Sequence, residues 1–265
     1  MSASAPELGD FSYLAPLFAA AAEYRAQDHF RLLPEPEARS SLAADDKPLH
    51  PWGASKFISS SFSAGLLHVE ALTQLVTEAR QVDPVSPWTL LRAALENFAT
   101  AVWLLDGKDR VERRHRTLTL WAEDFRNRAD HEADVNHVVT SPQGRTGTQR
   151  YEEVRQLALS LGLPGLPRPS ATKIITEAAT TAQLEPDQTR ALWRVASGFA
   201  HGRFWPTLRA AEVRDLNRAA DGYLLNFGVD DEKLEQLAKA CLELLQHTEW
   251  RYKARCKAVE IASRS

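Results

Sequence analysis

The chain has 265 residues, of which 44% are hydrophobic and 25% are charged, and its formal net charge is −3 at pH 7. This length and hydrophobic content suffice to bury a sizeable core, which excludes a disordered chain. The small negative charge excludes a global basic field, so any contact with nucleic acid or an anionic membrane requires a local patch.

The cysteines and the hydropathy pattern bear on the cellular compartment. Cys241 and Cys256 lie too far apart along one predicted helix to form a disulfide, which favours a reducing environment. The first ten residues lack a basic region followed by an apolar core, and no apolar run approaches the ~20 residues that cross a bilayer. We therefore expect a cytoplasmic protein with no membrane partner.

Two helices separated by a connection are predicted for the first 80 residues. Apolar and alanine residues over 11–30 favour a helix that Pro16 interrupts. Residues 31–51 contain several prolines without apolar periodicity, which predicts a flexible connection. Over 55–80, apolar residues recur at three- and four-residue steps, as in an amphipathic helix. We therefore assign residues 1–54 to an N-terminal helix and connection that precede the main domain.

The helix predicted over 87–105 has the clearest start signal in the chain. Ser86 can cap it, and Pro87 suits the first helical position. Almost every face of this helix is apolar, which is typical of a helix surrounded by others. Arg92 and Glu96 interrupt the apolar surface, and each needs a partner because an unpaired buried charge is unfavourable by several kcal/mol.

A charged helix and two shorter ones follow. The helix over 108–134 has an inward apolar stripe, and acidic residues dilute its basic cluster at 110–116, which favours a solvated face. A loop then leads to shorter helices near 151–161 and 172–182. We assign 136–185 to an inserted region within a domain that extends to residue 265.

The last third of the chain predicts a helix, a hairpin and another helix. The first, over 186–201, cannot continue past Trp205 because Pro206 disfavours the helical conformation there. An Asp-Gly turn signal beside an apolar run allows a short β-hairpin near 212–228. The final helix, 231–260, has a near-heptad apolar stripe that fits a bundle edge or a dimer seam. The expected fold is all-α, with core helices at 55–80, 87–105, 108–134, 186–201 and 231–260.

The helix over 186–201 concentrates chemically active side chains on one side. At 3.6 residues per turn, Arg194, Ser197 and His201 fall within a narrow sector. Apolar residues occupy the opposite side: Leu192, Val195, Ala196 and Phe199. The simplest interpretation is an amphipathic helix whose polar side faces water.

Several kinds of site are excluded by their spacing requirements. Glu112 and His115 form one Glu-x-x-His step, whereas a carboxylate-bridged two-metal bundle needs two such steps and two further glutamates. His131 and His137 do not have the spacing of a zinc-binding His-Glu-x-x-His helix. The sequence also lacks a glycine-rich phosphate loop, and Ser197 is not in a Gly-x-Ser-x-Gly elbow. We expect no metal and no cofactor.

The remaining motif resembles the HEPN superfamily (higher eukaryote and prokaryote nucleotide-binding). Arg194 and His201 are separated by six residues, at the long end of that superfamily's arginine–histidine spacing. Arg92-Ala-Ala-Leu-Glu96 followed by Ser197-Gly-Phe-Ala-His201-Gly is also similar to an uncharacterised bacterial branch of it. The resemblance covers roughly residues 55–205, and the final helix as a pattern.

This resemblance implies an all-α HEPN-like bundle acting as a metal-independent endoribonuclease, in a toxin or phage-defence context. It further implies a homodimer whose two motifs meet at the interface, an RNA or nucleotide ligand, and an antitoxin-like protein partner. Chemically, His201 can move a proton between the ribose 2′-hydroxyl and the leaving oxygen, while Arg194 stabilises the phosphorane charge. Ser197 can orient either side chain.

A non-catalytic role is the alternative. Val195 stands where many active members of the superfamily carry Asn, Asp or His. The step of seven positions along a regular helix also puts the α-carbons of Arg194 and His201 about 10 Å apart, so the two side chains can meet only through a partner subunit or a distorted turn near Gly198. In this interpretation Arg194 pairs with Glu96, Ser197 or His201 contacts Arg92 or a carbonyl, and this polar seam is structural. The bundle then binds a nucleotide, RNA or a protein without cleavage.

Overall fold

The computed structural model describes residues 11–25, 33–80, 82–137, 139, 141, 143–219 and 222–258. The helices, in chain order, are α1 (Ala15–Arg25), α2 (Ser41–Asp46), α3 (Ala54–Gln74), α4 (Ser86–Leu105), α5 (Arg110–Asp134), α6 (Gly147–Ser160), α7 (Ala171–Thr181), α8 (Pro186–Ala200), α9 (Thr207–Ala210) and α10 (Asp231–Cys256). Two strands, β1 (Ala211–Ala219) and β2 (Gly222–Val229), pair as an antiparallel hairpin. The predicted all-α class is confirmed. Within the described residues, no helix has both the length and the apolar character that a bilayer crossing needs.

The predicted long helices agree closely with the observed ones. The helix expected over 55–80 is α3 followed by a π-helical turn, Leu75–Ala79. The hairpin expected near 212–228 pairs Ala211 with Val229 and Ala219 with Gly222. The predicted extensions of α1 over 26–30 and of α10 over 259–260 lie outside the described residues. Apolar periodicity therefore predicted the positions of those elements that are long enough to contain several periods.

The connection predicted over 31–51 is partly helical, so that prediction is wrong for residues 41–49. Ser40 caps α2 by accepting a hydrogen bond from the Ala43 amide at 3.1 Å. A short 3₁₀ turn, Lys47–Leu49, follows directly. Six residues are too few to show an apolar period, and α2 depends on contacts with residues distant in sequence.

The described chain divides into two units that alternate along the sequence. One draws on the described parts of Met1–Leu32, Phe62–Ala99 and Ile175–His247, and the other on the described parts of Leu33–Ser61, Thr100–Ile174 and Thr248–Ser265. The predicted domain division, 1–54 and 55–265 with an insertion at 136–185, stays a prediction.

The first unit contains α8 and residues 86–99 of α4, and its aromatic side chains are in direct contact. Trp88 stacks on Phe199 with ring centroids 5.4 Å apart and ring planes inclined by 25°. Phe62 contacts both Tyr24 and Phe98, at centroid distances of 5.1 and 5.8 Å. Trp88 and Phe62 are fully buried, so these contacts belong to the core of this unit.

The second unit has a separate apolar core around α5 and α6. Its buried members are Leu49, Leu118, Ala122, Phe125, Val154, Ala158 and Leu163. Trp52 packs edge-on against Phe125 at a centroid distance of 4.9 Å, and Trp121 stacks on Phe125 at 5.8 Å. Gly147 permits α6 to start against α5, because a Cβ there would lie 2.4 Å from the Ala129 amide nitrogen. This core holds the two helices together.

Asp45 of α2 lies in a cluster of arginines within the second unit. Its side chain, 2% exposed, binds Arg110 Nε at 3.0 Å, Arg113 Nε at 2.6 Å, and the guanidinium group of Arg255. Arg114 donates to the backbone carbonyls of Ala44 and Asp45. Burial, and then the nearby Arg113 charge, lower the pKa of Arg255. The basic cluster at 110–116 is therefore not the solvated face that the sequence favours, because much of it is bound to α2.

We expect Asp45→Asn to lower the free energy of unfolding by about 3–5 kcal/mol, because it leaves buried guanidinium groups without their counter-charge. Urea denaturation followed by circular dichroism measures this change. Asp134→Asn is the matched control, since that aspartate is exposed at the end of α5 and its loss should change stability by less than about 0.5 kcal/mol. Equal stabilities of the two variants would contradict a structural role for Asp45.

Candidate functional site

Helix α8 positions Arg194, Ser197 and His201, and its ends have local causes. Pro186 occupies the first turn, and His201 is the C-terminal cap. Gly202 has a φ of +60°, a conformation that favours glycine. The Gly202 amide donates to the Phe199 carbonyl at 3.0 Å and the Arg203 amide to the Gly198 carbonyl at 2.8 Å, which is the Schellman pattern of helix termination. The His-Gly pair thus also ends the helix.

The two sides of α8 differ in exposure as the sequence predicts. Leu192, Ala196 and Phe199 are buried, whereas Arg194 and His201 are exposed. Ser197 and Val195 are partly exposed, so Val195 lies at the border of the apolar side and not within it. Burial of the apolar side therefore directs the motif residues outward.

Arg92 and Glu96 form an ion pair along α4. Arg92 Nη2 lies 2.9 Å from Glu96 Oε1, and both side chains are partly buried. Trp193 of α8 donates its indole N–H to the same oxygen at 2.6 Å. Arg92 and Trp193 therefore provide the partners that a half-buried Glu96 carboxylate requires.

The predicted pairing of Arg194 with Glu96 is wrong, because Trp193 makes the contact from α8 to that carboxylate. With the rest of the described chain, Arg194, Ser197 and His201 form no side-chain hydrogen bond or ion pair. The supporting seam is therefore Arg92, Glu96 and Trp193. The role of Trp193 could not be predicted from the sequence. A tryptophan next to the polar side of an amphipathic helix does not indicate which side chain its indole N–H will bind.

Arg194 and His201 are held apart along the helix axis. Helix α8 is continuous from Pro186 to Ala200, so the distorted turn near Gly198 that would bring them together is absent. At a rise of 1.5 Å per residue, their α-carbons lie about 10 Å apart along the axis. A site that uses both side chains on one phosphate therefore needs a second chain or a long reach by Arg194.

Gly198 allows the chain after α8 to return against the helix. A Cβ at this position would lie 2.3 Å from Pro206 Cγ and 3.1 Å from Trp205 Cζ2. The absence of a side chain at Gly198, the residue after Ser197, thus gives the space into which Pro206 and Trp205 pack. The sequence motif contains this glycine, but its packing partners could not be predicted from the motif.

Among the described residues, no group of three or more His, Cys, Asp or Glu side chains is arranged to hold a metal ion. Both cysteines are buried and free, and burial raises the pKa of the Cys241 thiol.

Comparison with protein-family models, curated proteins and solved structures finds no match to this chain. A function must therefore be inferred from the residues and their geometry.

We expect Trp193→Phe to lower the free energy of unfolding by about 1–2 kcal/mol, because it removes the N–H donor to a charged acceptor and keeps an aromatic ring. Urea denaturation measures the change, and Trp250→Phe, at a largely exposed tryptophan, is the control. A double-mutant cycle with Glu96→Ala, which removes the acceptor oxygen, isolates the pair. An interaction energy of zero in that cycle would show that the bond to Glu96 contributes nothing.

Proposed function

We propose that the protein is a metal-independent endoribonuclease of the HEPN type, in which Arg194 and His201 act on RNA. The observation that carries this proposal is the contrast between two sets of charged side chains. Arg92 and Glu96 are bound within the unit, whereas Arg194 and His201 are exposed without a hydrogen-bond or ion-pair partner in the described chain. Side chains that stabilise helix packing are bound to other residues of the unit, whereas Arg194 and His201 are available to a ligand.

The chemistry requires a proton carrier and a cation, which these residues supply. His201 takes the proton of the ribose 2′-hydroxyl, whose oxygen attacks the adjacent phosphorus. The bond from phosphorus to the 5′-oxygen breaks, and that oxygen receives the proton that His201 carries. The products are a 2′,3′-cyclic phosphate and a 5′-hydroxyl. Arg194 stabilises the negative charge of the phosphorane, and Ser197 orients one of the two side chains.

The axial distance between the motif residues supports a composite site in a homodimer. His201 of one copy and Arg194 of the other can face one phosphate if two α8 helices cross at a two-fold interface. The apolar stripe of α10, which the sequence allows as a dimer seam, is not a second association surface, because its residues are buried within the chain: Leu234, Leu237, Cys241, Leu244 and Leu245. Each dimer would then hold two equivalent sites.

The test of catalysis compares wild-type protein with His201→Ala on RNA in the presence of EDTA, with fragment ends identified by mass. We expect wild type to produce cyclic-phosphate ends and the variant to lose about 10²–10⁴-fold in rate with an unchanged melting temperature, since the side chain is exposed. His131→Ala, at another exposed histidine, is the matched control. Cleavage by His201→Ala at the wild-type rate would overturn the assignment of His201.

A mixing experiment tests the composite site. Arg194→Ala and His201→Ala are each expected to be inactive alone, whereas an equilibrated mixture forms heterodimers with one intact site. Statistical pairing then restores about a quarter of the wild-type rate, because half of the dimers are mixed and each has one of two sites. A mixture that stays inactive would show that both residues act from the same chain.

A non-catalytic nucleotide- or RNA-binding bundle is the second candidate, and the observation that favours it is the separation of Arg194 from His201 on one continuous helix. In this case neither wild type nor the variant cleaves RNA. RNA or nucleotides still raise the melting temperature of the wild type, because a ligand of the native state stabilises it. Cleavage by the wild type alone would exclude this candidate.

A further inference from the structure

The segment that follows α8 exposes large apolar side chains next to the candidate site. Phe204 is 66% exposed, Trp205 is 45% exposed and Leu208 is 58% exposed. Two of the three are aromatic, and all lie within seven residues of His201. Large exposed apolar side chains that cluster in this way mark an interaction surface.

The position of this surface is set by packing. Pro206 and Trp205 lie against Gly198 of α8. The amides of Arg209 and Ala210 donate to the Pro206 carbonyl at 2.9 and 2.7 Å, which forms the short helix α9. Trp205 therefore packs against the helix that carries Arg194 and His201. Phe204, the residue before Trp205, is exposed to solvent.

The sequence segment that carries this surface is basic, although the net charge of the whole chain is −3. Between Asp187 and Glu212 the sequence contains four arginines and one histidine, with no aspartate or glutamate. Arg190 pairs with Asp187 at 2.8 Å. Arg203 and Arg209 are exposed and have no side-chain partner in the described part of the chain. This is the local basic patch that a contact with nucleic acid requires.

We propose that this surface binds unpaired bases of single-stranded RNA, with Phe204 and Trp205 as the stacking side chains and Arg203 and Arg209 as phosphate contacts. Aromatic rings stack on any base, whereas in a duplex the bases are already stacked and paired. This inference rests on the proposed function, from which it takes RNA as the ligand. It adds that the bound RNA is single-stranded. It also explains why the aromatic side chains lie beside the motif residues.

The charge pattern favours RNA over a second copy of the chain as the occupant. A two-fold interface places the same surface patch of both copies face to face. An interface formed by this segment would face the basic patch of one copy with the same patch of the other, and like charges in an interface are unfavourable. The two-fold contact proposed for α8 is centred on Arg194 and His201 and does not require this segment. A polyanion carries the opposite charge, so it satisfies both the aromatic and the basic side chains.

The test measures binding of a labelled single strand of about 12 nucleotides, and of the same sequence in a duplex, by fluorescence anisotropy. His201→Ala serves as the parent protein so that cleavage does not interfere. We expect Phe204→Ala to weaken single-strand binding by about 5- to 150-fold, the effect of losing one stacked base, with duplex binding unchanged. Leu208→Ala is the matched control, because it removes an exposed apolar side chain without a π-face.

Two results would contradict base stacking on this surface, and a third would contradict only the catalytic assignment. Single-strand affinity that is unchanged in Phe204→Ala, or reduced equally in Leu208→Ala, would overturn base stacking. Conversion of a dimer to a monomer by Phe204→Ala with unchanged RNA affinity would identify an interface between copies and also overturn it. A His201→Ala parent that still cleaves RNA, but loses binding with Phe204→Ala, would overturn the catalytic assignment and leave the stacking surface in place.

Discussion

The stack of Trp88 on Phe199 determines which side of α8 faces the solvent. Trp88 is fully buried and Phe199 nearly so, and the two rings lie almost parallel. With Phe199 held inward, the 100° rotation per residue directs Arg194 and His201 outward. The exposure of the candidate site is thus a consequence of a core contact on the other side of the helix.

Charged residues in this protein have two different environments. Asp45 is buried and bound to its arginines, and the partly buried Glu96 is bound to Arg92 and Trp193. A buried charge requires such partners because its loss of hydration is not otherwise compensated. Arg194 and His201 remain hydrated at the surface, where no partner is needed. The difference separates side chains that stabilise the fold from those that can meet a ligand.

Clusters of arginine in a sequence do not by themselves indicate which environment they occupy. The basic residues at 110–116 are close together in sequence, yet Arg113 is bound to a carboxylate that lies 68 residues away. The arginines between 188 and 211 are dispersed, and Arg203 and Arg209 are exposed. Only the position of acidic side chains from other elements distinguishes the two cases, and tertiary structure sets that position.

The sequence by itself determined the all-α class, the long helices and the hairpin, because apolar periodicity and turn residues are local properties that survive without tertiary contacts. It also determined that Arg194, Ser197 and His201 share one side of a helix. Tertiary structure alone decided three features: the helix at Ser41–Asp46, the contact of Trp193 with Glu96, and the return of Trp205 onto Gly198. The first two depend on contacts between residues that are far apart in the chain, and the third depends on the space that a glycine leaves beside a helix. Neither kind of contact produces a periodic pattern in the sequence.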